Sequence, residues 1–199
     1  LGQQKNDRKP RQPKKITPRY LDNVAAYYLG RYASSSANLK RILMRRAHKS
    51  CAHHGMALEE AEAMIDDLVA HYRQAGFLND ENYANLLARS LRDKGKSKRQ
   101  ILQKMYEKGV ENHLAEKALQ AADLAVENGQ DNGGDRDAEL IAAWRLARRR
   151  KLGPFRPAEQ RSEYWQKDLG SFARAGFSYD IARGILEQED VPEDIERGL

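Results

Sequence analysis

Between Gln74 and Val110 three glycines, Gly76, Gly95 and Gly109, each follow an amphipathic run, and no other feature restricts the possible folds as much. A glycine there takes the left-handed conformation that ends a helix, and a capping residue soon after it starts the next one. Ala75-Gly76-Phe77-Leu78-Asn79-Asp80 reads in this way as helix, tight turn, helix, with Asp80 as the cap. From Asp80 to Lys94 the apolar positions Tyr83, Ala84, Leu87, Ala88 and Leu91 recur at helical spacing, which assigns Asn85, Arg89 and Arg92 to the opposite, outward face. Ser97 followed by Gln100 forms a capping box, Ile101, Leu102 and Met105 make the buried stripe of the next helix, and Arg99, Gln103 and Tyr106 face outward.

The same grammar extends along the chain. Thr17-Pro18 reads as a cap with proline at the first helical position, and Leu21, Val24, Ala25, Tyr28 and Leu29 carry the stripe to about Arg31. Ser34-Ser35-Ser36 opens a second helix on Leu39, Ile42, Leu43 and Ala47, with Arg41, Met44, Arg45 and His48 pointing away. After a loop at 50–57 a third helix buries Ala61, Ile65, Leu68, Val69 and Tyr72. Laying residue 35 over residue 97 matches Ser35, Leu39 and Leu43 with Ser97, Ile101 and Met105. A helix from about Asn112 to Glu127 follows, on Leu114, Ala118, Leu119, Ala122 and Ala125. A Gly, Asn and Asp loop at 128–135 then precedes a third round. That round has a helix on Leu140, Ala143, Trp144 and Ala147 closed by Pro154 and Pro157. Another helix, on Tyr164, Trp165, Leu169 and Phe172, ends at Ala175-Gly176-Phe177, which echoes Lys108-Gly109-Val110. A last helix is capped by Ser178 and runs through Ile181, Ile185 and Leu186.

No window alternates with period two, β-branched residues are few, and 32% of the chain is charged, so the expected class is all-α. The expected architecture is a set of tandem three-helix units in an elongated, curved array, each burying a face against its neighbours. The divisions are a disordered basic tail at 1–17, repeats at 18–78 and 79–130, and a third repeat with an acidic end at 131–199. Lys5, Arg8, Lys9, Arg11, Lys14 and Lys15 make the tail either a solvated extension or an electrostatic arm.

The chemistry of the side chains excludes more than it suggests. Cys51, His53 and His54 lie close together, but a structural zinc site takes four ligands and no second pair has suitable spacing. Glycines fall as helix stops rather than in a phosphate-binding run, so no nucleotide site, metal, cofactor or catalytic group is expected. A single cysteine excludes an internal disulfide, and the absence of a signal-peptide core or a membrane-length apolar run makes the cytoplasm the default location. Basic clusters recur in all three rounds: Lys40, Arg41, Arg45, Arg46, His48 and Lys49; then Arg89, Arg92, Lys94, Lys96, Lys98 and Arg99; then Arg145 and Arg148 to Lys151. They are either a footprint for a phosphate backbone or the solvated charge of exposed helices.

Arg31, Ser35, Leu39 and Leu43, then Gly76-Phe77-Leu78-Asn79-Asp80 with Tyr83-Ala84, Gly95 to Ser97 and Gly109-Val110 together resemble the motif string of the RecX family, regulators of the RecA recombinase. Arg148-Arg149-Arg150-Lys151-Leu152-Gly153-Pro154-Phe155 and Ala173-Arg174-Ala175-Gly176-Phe177-Ser178 are similar to it too, so the likeness spans 18 to about 188. Asn38, where the family often has Glu, is a departure, as are the residues at 50–57, the polar loop and the basic tail. The resemblance implies a monomeric non-enzyme that binds RecA protein and single-stranded DNA within the RecA filament, with no membrane partner. It would lower ATPase, recombinase and co-protease activities from the filament groove or end. The candidate contacts are Arg41, Arg45, Arg89, Arg92, Lys96, Arg99, Arg145, Arg148 and Arg149, with Met44, Tyr106 and Trp144 as either protein contacts or packed residues. A helical-repeat DNA-binding module without RecA as partner is the other class of function.

Overall fold

Thr17 starts the first helix by accepting the Tyr20 N–H on its hydroxyl at 3.2 Å, with Pro18 set in the first turn, where its missing N–H costs nothing. The computed structural model describes residues 12–128 and 137–196, and every regular element among them is helical. The chain divides into two compact units, Leu1–Asn79 and Asp80–Leu199. No helix among the described residues is long and apolar enough to cross a membrane.

The first unit contains α1 (Pro18–Leu29), α2 (Ser36–His54) and α3 (Leu58–Gln74). Leu21, Ala25, Leu39, Leu43, Ala47, Ala61 and Ile65 form its core, all fully shielded from water. Each leucine or isoleucine so placed contributes about 1.5–3 kcal/mol of apolar burial. Two expectations fail here for one reason. The helix expected to stop near residue 50 runs on to His54 and ends at Gly55, because its last turns have something to bury. Ile16 is 1% exposed, Ser50 Oγ donates to the Lys14 carbonyl at 2.8 Å and the His54 ring nitrogen meets the Pro13 carbonyl at 2.8 Å. Residues 12–17, assigned above to a disordered tail, are therefore laid along the end of α2; the rest of that tail lies outside the described residues.

The second unit contains α4 (Asp80–Asp93), α5 (Lys98–Glu107), α6 (Asn112–Asn128), α7 (Ala138–Arg150), α8 (Ala158–Arg174), α9 (Tyr179–Leu186) and a closing turn, α10 (Glu193–Glu196). Ala84, Ala88, Ile101, Met105, Val110, Ala118, Leu119 and Ala122 pack as one apolar cluster, with Ala115 buried and Ala125 exposed where the sequence expectation had Ala125 inside. A second cluster holds Trp144, Leu146, Ala147, Phe172, Phe177 and Ile185. Glu81 pairs with Lys117 and Arg92 with Asp123, so α4 and α6 run in the same direction.

Helix α7 is buried at Ala138, Ile141, Ala142, Ala143, Trp144, Leu146 and Ala147, far wider than the expected stripe. It lies between the two clusters, with the Gly95 turn on one side and Phe172, Phe177 and Ile185 on the other. It ends at Lys151, which adopts φ 54°, before either proline. The Gly176 turn echoes Lys108-Gly109-Val110 as expected: both glycines are left-handed, and Val110 and Phe177 each donate their N–H to the carbonyl five residues back. Gly176-Phe177-Ser178 also reproduces Gly95-Lys96-Ser97, a left-handed glycine, one residue, then a serine that caps the next helix. A side chain at Gly95 would meet the Ala142 carbonyl oxygen and Arg145 Cβ at 2.9 Å, and one at Gly176 would meet Ser97 Oγ at 2.7 Å. Both turns are packed backbone to neighbour, and Ser97 Oγ donates to the Ala175 carbonyl at 2.6 Å.

Candidate functional site

In the second unit, the last residues of α4 and the last two turns of α7 lie side by side. Asp93, Lys94, Arg145, Arg148 and Arg149 line an open cleft of about 440 Å³. Four cations and one carboxylate give it a strong positive potential. Both bordering elements are helix C-termini, whose unsatisfied carbonyls attract cations. Two arginines use that attraction directly. Arg145 donates to the Arg92 carbonyl at 3.4 Å and Arg149 donates to the Lys94 carbonyl, so each closes a backbone acceptor at the end of α4. Arg148 and Arg149 are exposed and Arg145 is half-buried. A guanidinium carries five N–H donors in a flat fork, a geometry that matches a bidentate oxyanion such as phosphate.

Arg92, expected on the outward face, is 2% exposed. Its Nε donates to Asp123 Oδ1 at 2.6 Å, one terminal nitrogen to Glu139 Oε2 at 2.6 Å and to the Lys96 carbonyl at 3.0 Å, and the other to Asp123 Oδ2 at 3.2 Å. Burial alone would lower its pKa, but the hydrogen bonds with Asp123 and Glu139 outweigh that and raise it above the usual value. Arg92 is thus a joint between α4, α6 and α7 and cannot contact a partner. Glu139 also accepts the Lys98 N–H on both oxygens, at 3.1 and 2.9 Å, so one carboxylate serves the buried arginine and the start of α5 together.

The remaining expected contacts divide among other places. Arg89 is exposed on α4, outside the cleft lining. Lys96 is half-buried in the turn whose carbonyl holds Arg92, and Arg99 is exposed at the head with its stem against the Gly176 turn. In the first unit, Arg45 joins Ile42, Arg46, His48 and Lys49 around a shallow depression of about 510 Å³ on α2. Arg41 is exposed and donates to Asn38 Oδ1 at 3.0 Å, while Lys40 is occupied by Asp66 at 2.6 Å and Glu62 at 3.0 Å. Trp144 is 3% exposed and belongs to the core, Met44 packs on the core edge and Tyr106 is 76% exposed. Lys94 in the cleft was visible as part of a basic run; Asp93 beside it carried no sequence signal.

Comparison with known proteins gives a consistent result. A family model described as RecX, second three-helix domain, matches residues 79–119. The chain is 41% identical over 184 residues to a protein of Myxococcus xanthus named Regulatory protein RecX, covering 92% of each chain. It is 30% identical over 177 residues to a protein of the same name from Agrobacterium fabrum, covering 86% of this chain and 87% of the other. No solved structure matches it.

Proposed function

The chain belongs to the RecX family of regulatory proteins, and on that premise we propose that it binds RecA and the RecA filament on single-stranded DNA and lowers the filament's ATPase, recombinase and co-protease activities. The observation that carries this reading is the 41% identity to a protein named Regulatory protein RecX, sustained over 92% of the chain. The cationic cleft of Lys94, Arg145, Arg148 and Arg149 supports it, as does the separate basic face of Arg41, Arg45, Arg46 and Lys49 in the first unit. Such sites bind a polyanion by charge and do not read sequence. The protein acts by occupancy, without a cofactor or a catalytic group, in the cytoplasm where the filament forms. Helices α1–α3, α4–α6 and α7–α9 are its successive repeats. It binds as a monomer along the filament groove, each copy covering more than one RecA subunit.

The test is RecA ATPase on single-stranded DNA with this protein titrated in. Hydrolysis is expected to fall in proportion to protein bound along preassembled filaments whose subunits neither join nor leave. Unchanged hydrolysis at saturation would reject inhibition, and binding confined to filament ends would replace groove occupancy with capping. Pull-down of RecA without DNA separates this function from that of a DNA-binding module indifferent to RecA.

A further inference from the structure

Two exposed tyrosines of the first unit lie near one another in sequence at the end of α1. Tyr27 is 63% exposed and Tyr32 58%, and both belong to the last turn of α1 and the residues just after it. Tyrosines normally bury most of a ring that bulky. Neighbours hold these two in place. The Arg31 guanidinium carbon stands 4.0 Å from the centre of the Tyr27 ring, and the same group donates to the Tyr27 hydroxyl. Tyr32 donates its N–H to the Tyr28 carbonyl at 3.0 Å and sets its ring 5.2 Å from the half-buried ring of Tyr28. The Tyr28 hydroxyl in turn accepts from Asn38 Nδ2 at 3.2 Å, and Asn38 accepts from Arg41 at 3.0 Å. The rings are therefore held before any ligand arrives, Tyr27 by Arg31 and Tyr32 by Tyr28, with Arg41 linked to Tyr28 through Asn38.

Charge and composition indicate what would cover them. Between Pro18 and Arg41 the only carboxylate is Asp22, and it accepts from the Tyr72 hydroxyl at 2.8 Å. Among the described residues of this unit the only other large apolar side chain in the open is Phe77, which packs beside Tyr72 with ring centres 5.6 Å apart. The patch thus offers flat rings and guanidinium groups with no exposed large aliphatic side chain. Tyrosine and arginine are enriched at protein interfaces too, but rings set among arginines, with a single, hydrogen-bonded carboxylate nearby, also meet what a single strand needs, π faces for its bases and cations for its phosphates. We propose that Tyr27, Arg31 and Tyr32, with Arg41 beside them, form a stacking platform for the unpaired bases of a single-stranded nucleic acid. The proposal rests on the nucleoprotein reading above for the identity of that strand, and adds base stacking to interactions otherwise limited to phosphate.

The experiment uses the full chain without RecA and measures anisotropy of a labelled oligothymidylate and of an abasic oligomer of equal length and charge. The unmodified protein should prefer the oligothymidylate by about tenfold. Tyr27→Ala with Tyr32→Ala should erase that preference, Tyr27→Phe with Tyr32→Phe should keep it, and the salt dependence of binding should be the same for all three. Equal affinity of the unmodified protein for both oligomers, no binding to either, or a preference that survives the alanine pair would overturn the platform. So would an alanine pair that loses RecA inhibition while its base preference is unmoved, because the rings would then meet protein. A ring-dependent preference in a protein that fails to inhibit RecA would instead reject the RecA reading and leave the platform standing.

Discussion

Replacing Arg92 by methionine is the severest test of the second unit, because it removes a charge that three helices share while nearly keeping the stem's volume. The guanidinium is 2% exposed, and its loss breaks bonds to Asp123, Glu139 and the Lys96 carbonyl. Removing one partner of a buried pair costs about 3–5 kcal/mol, chiefly because the other charge is left without compensation. The Asp123 and Glu139 side chains are 26% and 20% exposed, so water can reach them in part and the lower end applies, about 3 kcal/mol. At about 3–4 °C per kcal/mol for a unit of this size, the melting temperature should fall by about 10 °C. The assay is urea unfolding followed by tryptophan fluorescence, since Trp144 and Trp165 both lie in Asp80–Leu199 and report that unit alone. Arg92→Met with Asp123→Leu should recover at least half of the loss, because the stranded carboxylate is gone and Glu139 keeps its bond from Lys98. A loss below about 1 kcal/mol for Arg92→Met, the range of a surface ion pair, would refute the joint.

Gly176→Ala and Gly76→Ala share a left-handed backbone, at φ 84° and 78°, but only the former meets an atom within 3 Å, Ser97 Oγ at 2.7 Å. Thermal melts should therefore show about 1–2 kcal/mol lost at Gly76 and about twice that at Gly176; equal losses would mean that the Ser97 side chain moves aside freely. Burial, reinforced by the hydrogen bond with Asp22, pushes the Tyr72 phenol up to about 12, so the folded first unit holds a proton that the unfolded chain releases near pH 10. Its stabilisation is whole below pH 10 and is lost as pH rises from there to 12, and a Tyr72→Phe variant, compared by dichroism across that window, should lack this fall. Arg148→Glu with Arg149→Glu, and separately Arg41→Glu with Arg45→Glu, should each make the logarithmic salt dependence of single-strand binding shallower, by about 0.7 for every phosphate no longer neutralised. An unchanged slope for Arg148 and Arg149 would confine them to closing the carbonyls of α4.

The helices were legible where a local rule produced them. Ser35, Ser97 and Ser178 each accept from the N–H three residues on, as their positions before apolar runs implied. Boundaries failed where a distant segment decided them: α2 continues to His54 because residues 13–16 cover its end. Arg92 shows the same limit at the candidate site. It stands four residues after Ala88 and eight after Ala84, on the buried row of α4, but an arginine there reads as outward unless its partners, 31 and 47 residues away, are known. Arg148 and Arg149 needed only a charge run to be noticed; that they would share a cleft with Lys94 required the packing of α7 on the Gly95 turn.

That packing also sets how the molecule comes apart. In a simple solenoid each repeat touches only its neighbours and can melt as a separate element. Here the Ser97 hydroxyl reaches the Ala175 carbonyl 78 residues away, and Glu139 at the start of α7 holds both Arg92 and the first turn of α5. Helices α4–α6 and α7–α9 therefore depend on each other's ends for hydrogen bonds that neither could make alone. A three-fold rhythm in the sequence should become a two-fold rhythm in cooperativity: Asp80–Leu199 is expected to unfold as one block, and a chain cut after α6 to lose the partner of Ser97 and one counterion of the buried Arg92 rather than to give a shorter working repeat.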